Sequence, residues 1–97
     1  MKNETIETTG MKIAQLMWPH AILVGALVGR STGSKAGDKH SAMLYGSLDG
    51  SNCSFEVMDE GATKLEAFRK VVRKCLRTTT GAARAEIEQL AAAAERE

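Results

Sequence analysis

GATKLEAFRKVVRKCLR, running from Gly61 to Arg77, is the stretch on which the reading of this chain turns. Thr63 and Glu66 stand three residues apart, as in a capping box. The Thr63 hydroxyl can accept from the Glu66 N–H, and the Glu66 carboxylate can reach back to the Thr63 N–H. Leu65, Phe68, Val71, Val72, Cys75 and Leu76 recur at three- and four-residue spacing and so share one helical face. Burying that stripe is worth roughly 1.5–3 kcal/mol per large side chain before conformational entropy is counted. Arg69, Arg73 and Arg77, four residues apart, mark the opposite face, with Lys70 and Lys74 beside them and Glu66 the one acid among them. Cations suit the C-terminal half of a helix, where the macrodipole is negative. The basic face of helix 64–77 therefore reads either as a solvated surface or as a docking surface for an anionic partner.

Such a helix needs an apolar layer to pack on, and the upstream segments read as strands. Ala21 to Gly29, AILVGALVG, is aliphatic throughout and reads as a central strand buried on both faces, with a short buried helix as the alternative. Ala42, Leu44, Gly46 and Leu48 alternate with Met43, Tyr45 and Ser47. Asp49-Gly50 is a strong turn signal, extended by Ser51 and Asn52. Cys53, Phe55 and Val57 then alternate with Ser54, Glu56 and Met58, completing a hairpin. Upstream, Met11 to Met17 reads as a short helix that Pro19 ends by pushing Trp18 out of the helical region. Downstream, Thr78 to Gly81 breaks the organising helix, and 82–97 reads as an alanine-rich C-terminal helix with Thr80 as its N-cap. Ala83, Ile87, Leu90 and Ala94 give it a narrow apolar stripe. Its acids Glu86, Glu88, Glu95 and Glu97 either meet the basic face of the first helix or project toward another chain, which would make a homo-oligomer through this helix.

The expected fold is thus α+β within a single domain, 1–97: a short N-terminal helix, a three-stranded antiparallel sheet, an amphipathic helix packed on it, and the C-terminal helix. Residues 1–9 are polar and expected to fray, Ile6 adding at most a short edge strand. Residues 30–40, RSTGSKAGDKH, read as a flexible basic loop in which Arg30, Lys35, Lys39 and His40 stand against Asp38. Its Gly33-Ser34-Lys35-Ala36 is not a phosphate loop, which needs glycine directly before the lysine and Ser or Thr directly after it.

Net charge is +1, so any interaction with a polyanion must come from local clustering rather than bulk charge. The longest apolar run falls far short of the ~20 residues that span a bilayer, and Met1 to Gly10 lacks the pattern of a secretory leader. Two cysteines do not make a disulfide framework, and the reducing cytoplasm is the expected setting. His20, His40, Cys53 and Cys75 could furnish four metal ligands by number, but no pair has the short spacing of zinc sites. Cys53 and Cys75 both fall on faces expected to be buried, where a thiol is inert. No catalytic set, metal or cofactor is read from these residues, and the chain is expected to be a binding protein rather than an enzyme.

Two resemblances bear on the partner. The order helix, three strands, helix resembles the double-stranded-RNA-binding domain. That family's second helix opens roughly Gly-x-Ser/Thr-Lys-Lys-x-Ala-Lys; Gly61, Thr63, Lys64 and Ala67 match it, while Leu65 and Phe68 replace two of its three phosphate-facing lysines. In general make-up, though in no motif, the chain is similar to small phage-borne inhibitors of the anti-CRISPR type. That likeness implies a stoichiometric binder that blocks a host machine, often where nucleic acid is normally held. The preferred expectation is a protein-binding inhibitor or adaptor. Its contact residues would be Arg69, Lys70, Arg73, Lys74 and Arg77 on the helix and Arg30, Lys35 and Lys39 in the loop. A nucleic-acid-binding module using the same basic face comes second, and a structural oligomerisation domain third.

Overall fold

The computed structural model describes residues 2–31 and 39–96. In chain order the elements are α1 (Asn3–Met17), β1 (Leu23–Ser31), β2 (Lys39–Ser47), β3 (Phe55–Gly61), α2 (Lys64–Thr78) and α3 (Gly81–Glu95). The strands form an antiparallel meander in the order β1-β2-β3. The fold is α+β, as its alternating and helical periodicities indicate.

Strand register sorts the side chains. Leu44 lies between Ala26 and Val57, and Ala42 between Val28 and Asp59, on one face of the sheet. Leu27, Met43 and Met58 form a row on the other. Helices α1 and α2 cover the first face, α1 chiefly over β1 and α2 over β2 and β3. Helix α3 lies against α1 and α2. Ile6, Ile13, Leu44, Val71, Cys75 and Ile87 are the largest fully buried side chains. The core therefore draws on all three helices and the middle strand.

Two glycines show how tightly these layers meet. A Cβ on Gly10 would stand 2.8 Å from the Cβ of Ala26 and 3.0 Å from Leu44 Cδ2, so α1 can approach β1 this closely only with glycine there. Gly50 has φ +79°, the left-handed region that the Asp49-Gly50 turn calls for. Asp49 organises that turn: its Oδ1 accepts from the N–H groups of Ser51 (2.8 Å) and Asn52 (2.9 Å) and from the Ser47 hydroxyl (3.1 Å). These bonds favour the charged carboxylate and pull its pKa down to about 2.

Several sequence expectations are corrected. Residues 4–9, expected to fray, form the first turns of α1, and Ile6 is a helical core residue rather than part of an edge strand. Glu4, Glu7 and Thr8 supply the solvent side of the helix, and Thr9 is buried beneath it. The Ala21–Gly29 run is not a central strand buried on both faces. β1 is an edge strand, and Leu23 and Leu27 are 50% and 54% exposed on its open side. Two successive hairpins place the middle strand, β2, at the centre whatever its composition. Cys53 is exposed, because it lies in the turn segment before β3 starts at Phe55. Its thiol donates to the Phe55 carbonyl at 3.1 Å. Cys75 is buried as expected, and burial pushes its thiol up to about 11. The apolar stripe of α3 packs inside the chain through Ile87 and Ala94.

Candidate partner-binding surface

The basic face of α2 begins with its cap. The Glu66 N–H donates to Thr63 Oγ1 at 3.1 Å, as the capping pattern anticipates. The Glu66 carboxylate returns to the N–H of Ala62, at 3.1 Å, one residue earlier than that pattern implies. With the helix started there, Ala67, Phe68, Val71, Val72 and Cys75 turn inward. The five cations are left toward solvent or toward the margins of the helix.

They divide into two groups. Arg69 makes a two-pronged pair with Glu95 near the end of α3, Nε to Oε1 and Nη2 to Oε2, each 2.7 Å. The pair raises the arginine's pKa and lowers the glutamate's. Lys70 donates to the carbonyl of Glu60 (3.0 Å) and lies 3.8 Å from the Glu66 carboxylate. Lys74 donates to the carbonyl of Met58 (2.8 Å) and lies 3.4 Å from Asp59 Oδ2. The pKa of Asp59 is lowered, chiefly by the Glu60 N–H bond and then by Lys74. Both lysines thus bind backbone carbonyls of β3, an outer strand of the sheet, and lysines placed there discourage a further strand from pairing. Arg73 and Arg77 have no hydrogen bond or carboxylate partner among the described residues.

The short connection from α2 to α3 adds a residue that the sequence reading did not select. It brings Arg84, in the first turns of α3, beside the last turns of α2. Arg73, Leu76, Arg77 and Arg84 line a shallow depression of about 290 Å³. Arg84 also pairs with Glu88 one turn on, at 3.2 Å. A second depression, about 250 Å³, lies between α2 and β3 and shares Arg73 and Arg77 with the first. The signal for Arg84 was the brevity of residues 79–80 between two helices, which forces the start of α3 against the end of α2.

The loop cations do not join this group. Arg30 pairs in register with His40, which pairs with Gly61, at the end of the sheet where α2 begins. Arg77 lies near the far end of α2, roughly 20 Å away by helical rise. Lys39 is the first residue of β2, opposite Ser31. Lys35 lies outside the described residues. A larger seam of about 500 Å³ runs between α1 and α3 over Leu16 and Leu90, but its walls carry mixed charge, Lys12 facing Glu86 among them. Among the described residues no three His, Cys, Asp or Glu side chains converge as metal ligands would, and no helix is long and apolar enough to cross a membrane. No protein-family model matches this chain, and no curated protein or solved structure matches it.

Proposed function

We propose that this chain is a non-enzymatic binding module that docks on an acidic surface of a protein partner through Arg73, Arg77 and Arg84. The observation that carries this reading is the pair of guanidiniums, Arg73 and Arg77, that have no carboxylate partner among the described residues and stand over an apolar floor at Leu76. Arginine beside apolar surface is the composition of protein–protein hot spots. A polyanion-binding stripe needs many uncompensated cations. Here Arg69, Lys70 and Lys74 are already held by groups of the chain itself, and Asp59 and Glu88 lie within the same surface. Two positions where the RNA-binding resemblance would place phosphate-facing lysines are Leu65, half-buried, and Phe68, 2% exposed. Phe68 packs in the core and neither position offers a cation to a phosphate, which favours a protein over a nucleic acid. On the likeness in make-up to phage-borne inhibitors, the partner is a component of a host nucleic-acid-handling complex, and the chain acts by occupying it stoichiometrically.

The test compares the wild type with Arg73→Glu/Arg77→Glu. Capture of a partner from host lysate should survive nuclease treatment and be lost by the double reversal, and association with the purified partner should slow. A DNA duplex titrated over a salt series should show negligible binding near physiological salt. Two unpaired cations, with Arg84 added when it leaves Glu88, would give a log–log slope no steeper than roughly −3. Tight duplex binding that weakens on reversal would replace this reading with the nucleic-acid module.

A further inference from the structure

The face of the sheet away from the helices is apolar. Its middle row is Leu27, Met43 and Met58, one from each strand. Leu27 and Met58 are 54% and 46% exposed, and no element of the described chain covers them. Leu23 continues the patch along β1.

The rows on either side of that middle row have an unusual composition. Gly25, Tyr45 and Glu56 form one, and Gly29, Ser41 and Glu60 the other. Each sets a glycine on β1 against a glutamate on β3. Gly25 has a reason inside the chain: the Tyr45 ring lies across it, and a Cβ there would coincide with ring atoms. Gly29 has none. A Cβ at Gly29 would meet nothing within 4 Å, and its φ is not in the left-handed region. Glycine in a strand interior weakens the strand, and its usual use is close approach by another group.

From this mosaic we infer that the open face packs against the same face of a second copy, about a two-fold axis running along β2. That rotation places β1 over the partner copy's β3 and leaves each row over itself. Met43 then meets its own equivalent, and Leu27 meets Met58 in both directions. Glu60 projects over glycine position 29, where no side chain obstructs it, Glu56 lies over the Tyr45 ring that fills position 25, and both carboxylates reach the solvent at the rim. Large residues meet large ones, Glu60 meets the vacant position 29 and no acid meets an acid, so the face is complementary to itself and like charges do not oppose each other. Two sheets packed in this way lie about 10 Å apart with strands within about 30° of alignment.

Size sets the strength. Three strands about 4.8 Å apart and seven residues of about 3.3 Å each give a flat face of roughly 14 Å by 23 Å. Two such flat faces amount to roughly 640 Å² and, with side-chain relief, approach the ~1,000 Å² lower bound for a specific interface. An interface at that lower bound belongs with weak, transient associations, populated at high concentration and dissociated at low.

Sedimentation equilibrium of the full chain from about 1 µM to about 1 mM tests this, that range bracketing the weak association such an area gives. The wild type should pass from monomer to dimer across it. Leu27→Glu should remain monomeric throughout. Gly29→Val is the sharper variant, because the monomer has room for the added side chain while the paired copy's Glu60 does not. It should melt no lower than the wild type at low concentration yet bind itself at least ~10-fold more weakly, about the loss expected from one obstructed contact. A wild type that stays monomeric at the top concentration overturns the inference, and so does a Gly29→Val variant that dimerises as well as the wild type.

Discussion

The two faces of the sheet both present apolar side chains and are opposite in circumstance. One presents Ala26, Val28, Ala42, Leu44 and Val57 to α1 and α2; the other presents Leu23, Leu27, Met43 and Met58 to no element of the described chain. Ala42 and Leu44 are 1% exposed, whereas Leu23 and Leu27 are half exposed. Hydrophobicity therefore does not separate the faces. What separates them is fit: Gly10 admits the backbone of α1 against Ala26, and the stripe of α2 lays Phe68, Val71 and Cys75 over the middle of the sheet. The covered face derives its stability from close packing, and the open face leaves its apolar area exposed.

That contrast can be broken or sharpened at four points. The largest effect is in thiol labelling. Cys75 can react only when the covered side opens, so a bulky maleimide should modify Cys53 at once and Cys75 at least ~10³-fold more slowly, the factor expected for a core position of a stable small domain. The same thiol carries a pH dependence. Its folded pKa of about 11 lies above the ordinary thiol value of 9.0, so the unfolded thiol ionises first. Stability should be unaffected below about pH 8 and fall as pH rises from about 9 toward 11. Equal labelling rates for the two thiols would dissolve the contrast altogether.

Next in size is Phe68→Ala, which empties the centre of the covered face and should lower stability by about 3–5 kcal/mol in chemical denaturation. An unchanged midpoint would mean that α2 does not pack through this side chain. Gly10→Ala follows. Alanine raises helix propensity by about 1 kcal/mol, but its Cβ would force α1 away from Ala26 and Leu44, a strain of about 1–3 kcal/mol. The net change should be destabilising, and a stabilised variant would show that the two layers separate easily. The smallest effect belongs to the open face: Leu27→Ser should shift monomer stability by no more than about 0.5 kcal/mol in a dilute thermal melt. A loss of several kcal/mol would show that Leu27 packs within its own chain.

Much of the fold was legible because it rests on local patterns. The capping residues of α2 and its three- and four-residue spacing fix where that helix starts and which side faces inward. The alternation from Ala42 onward and the Asp49-Gly50 turn fix a hairpin. Pro19 fixes where α1 stops. The errors arose where a residue's fate depends on a distant neighbour. Polar residues 4–9 looked unstructured because their single strong apolar anchor, Ile6, gains a helical neighbourhood only when α1 lies on the sheet. Cys53 shares the parity of Phe55 and Val57, but the strand begins after it.

The basic surface divides in the same way. Composition and helical period placed Arg69, Lys70, Arg73, Lys74 and Arg77 around one helix, and that much is local. Which of them stay unpaired was decided by Glu95 coming back from the end of α3 to Arg69, and by the carbonyls of Met58 and Glu60 lying beside Lys74 and Lys70. Arg84 joined the surface only because a tight turn folds α3 beside α2. Sequence by itself determined the elements, their amphipathic sides and the sign of the charge, since these follow from spacing within a few residues. Tertiary structure alone decided which apolar face is covered and which cations remain available, because both depend on contacts between residues far apart in the chain.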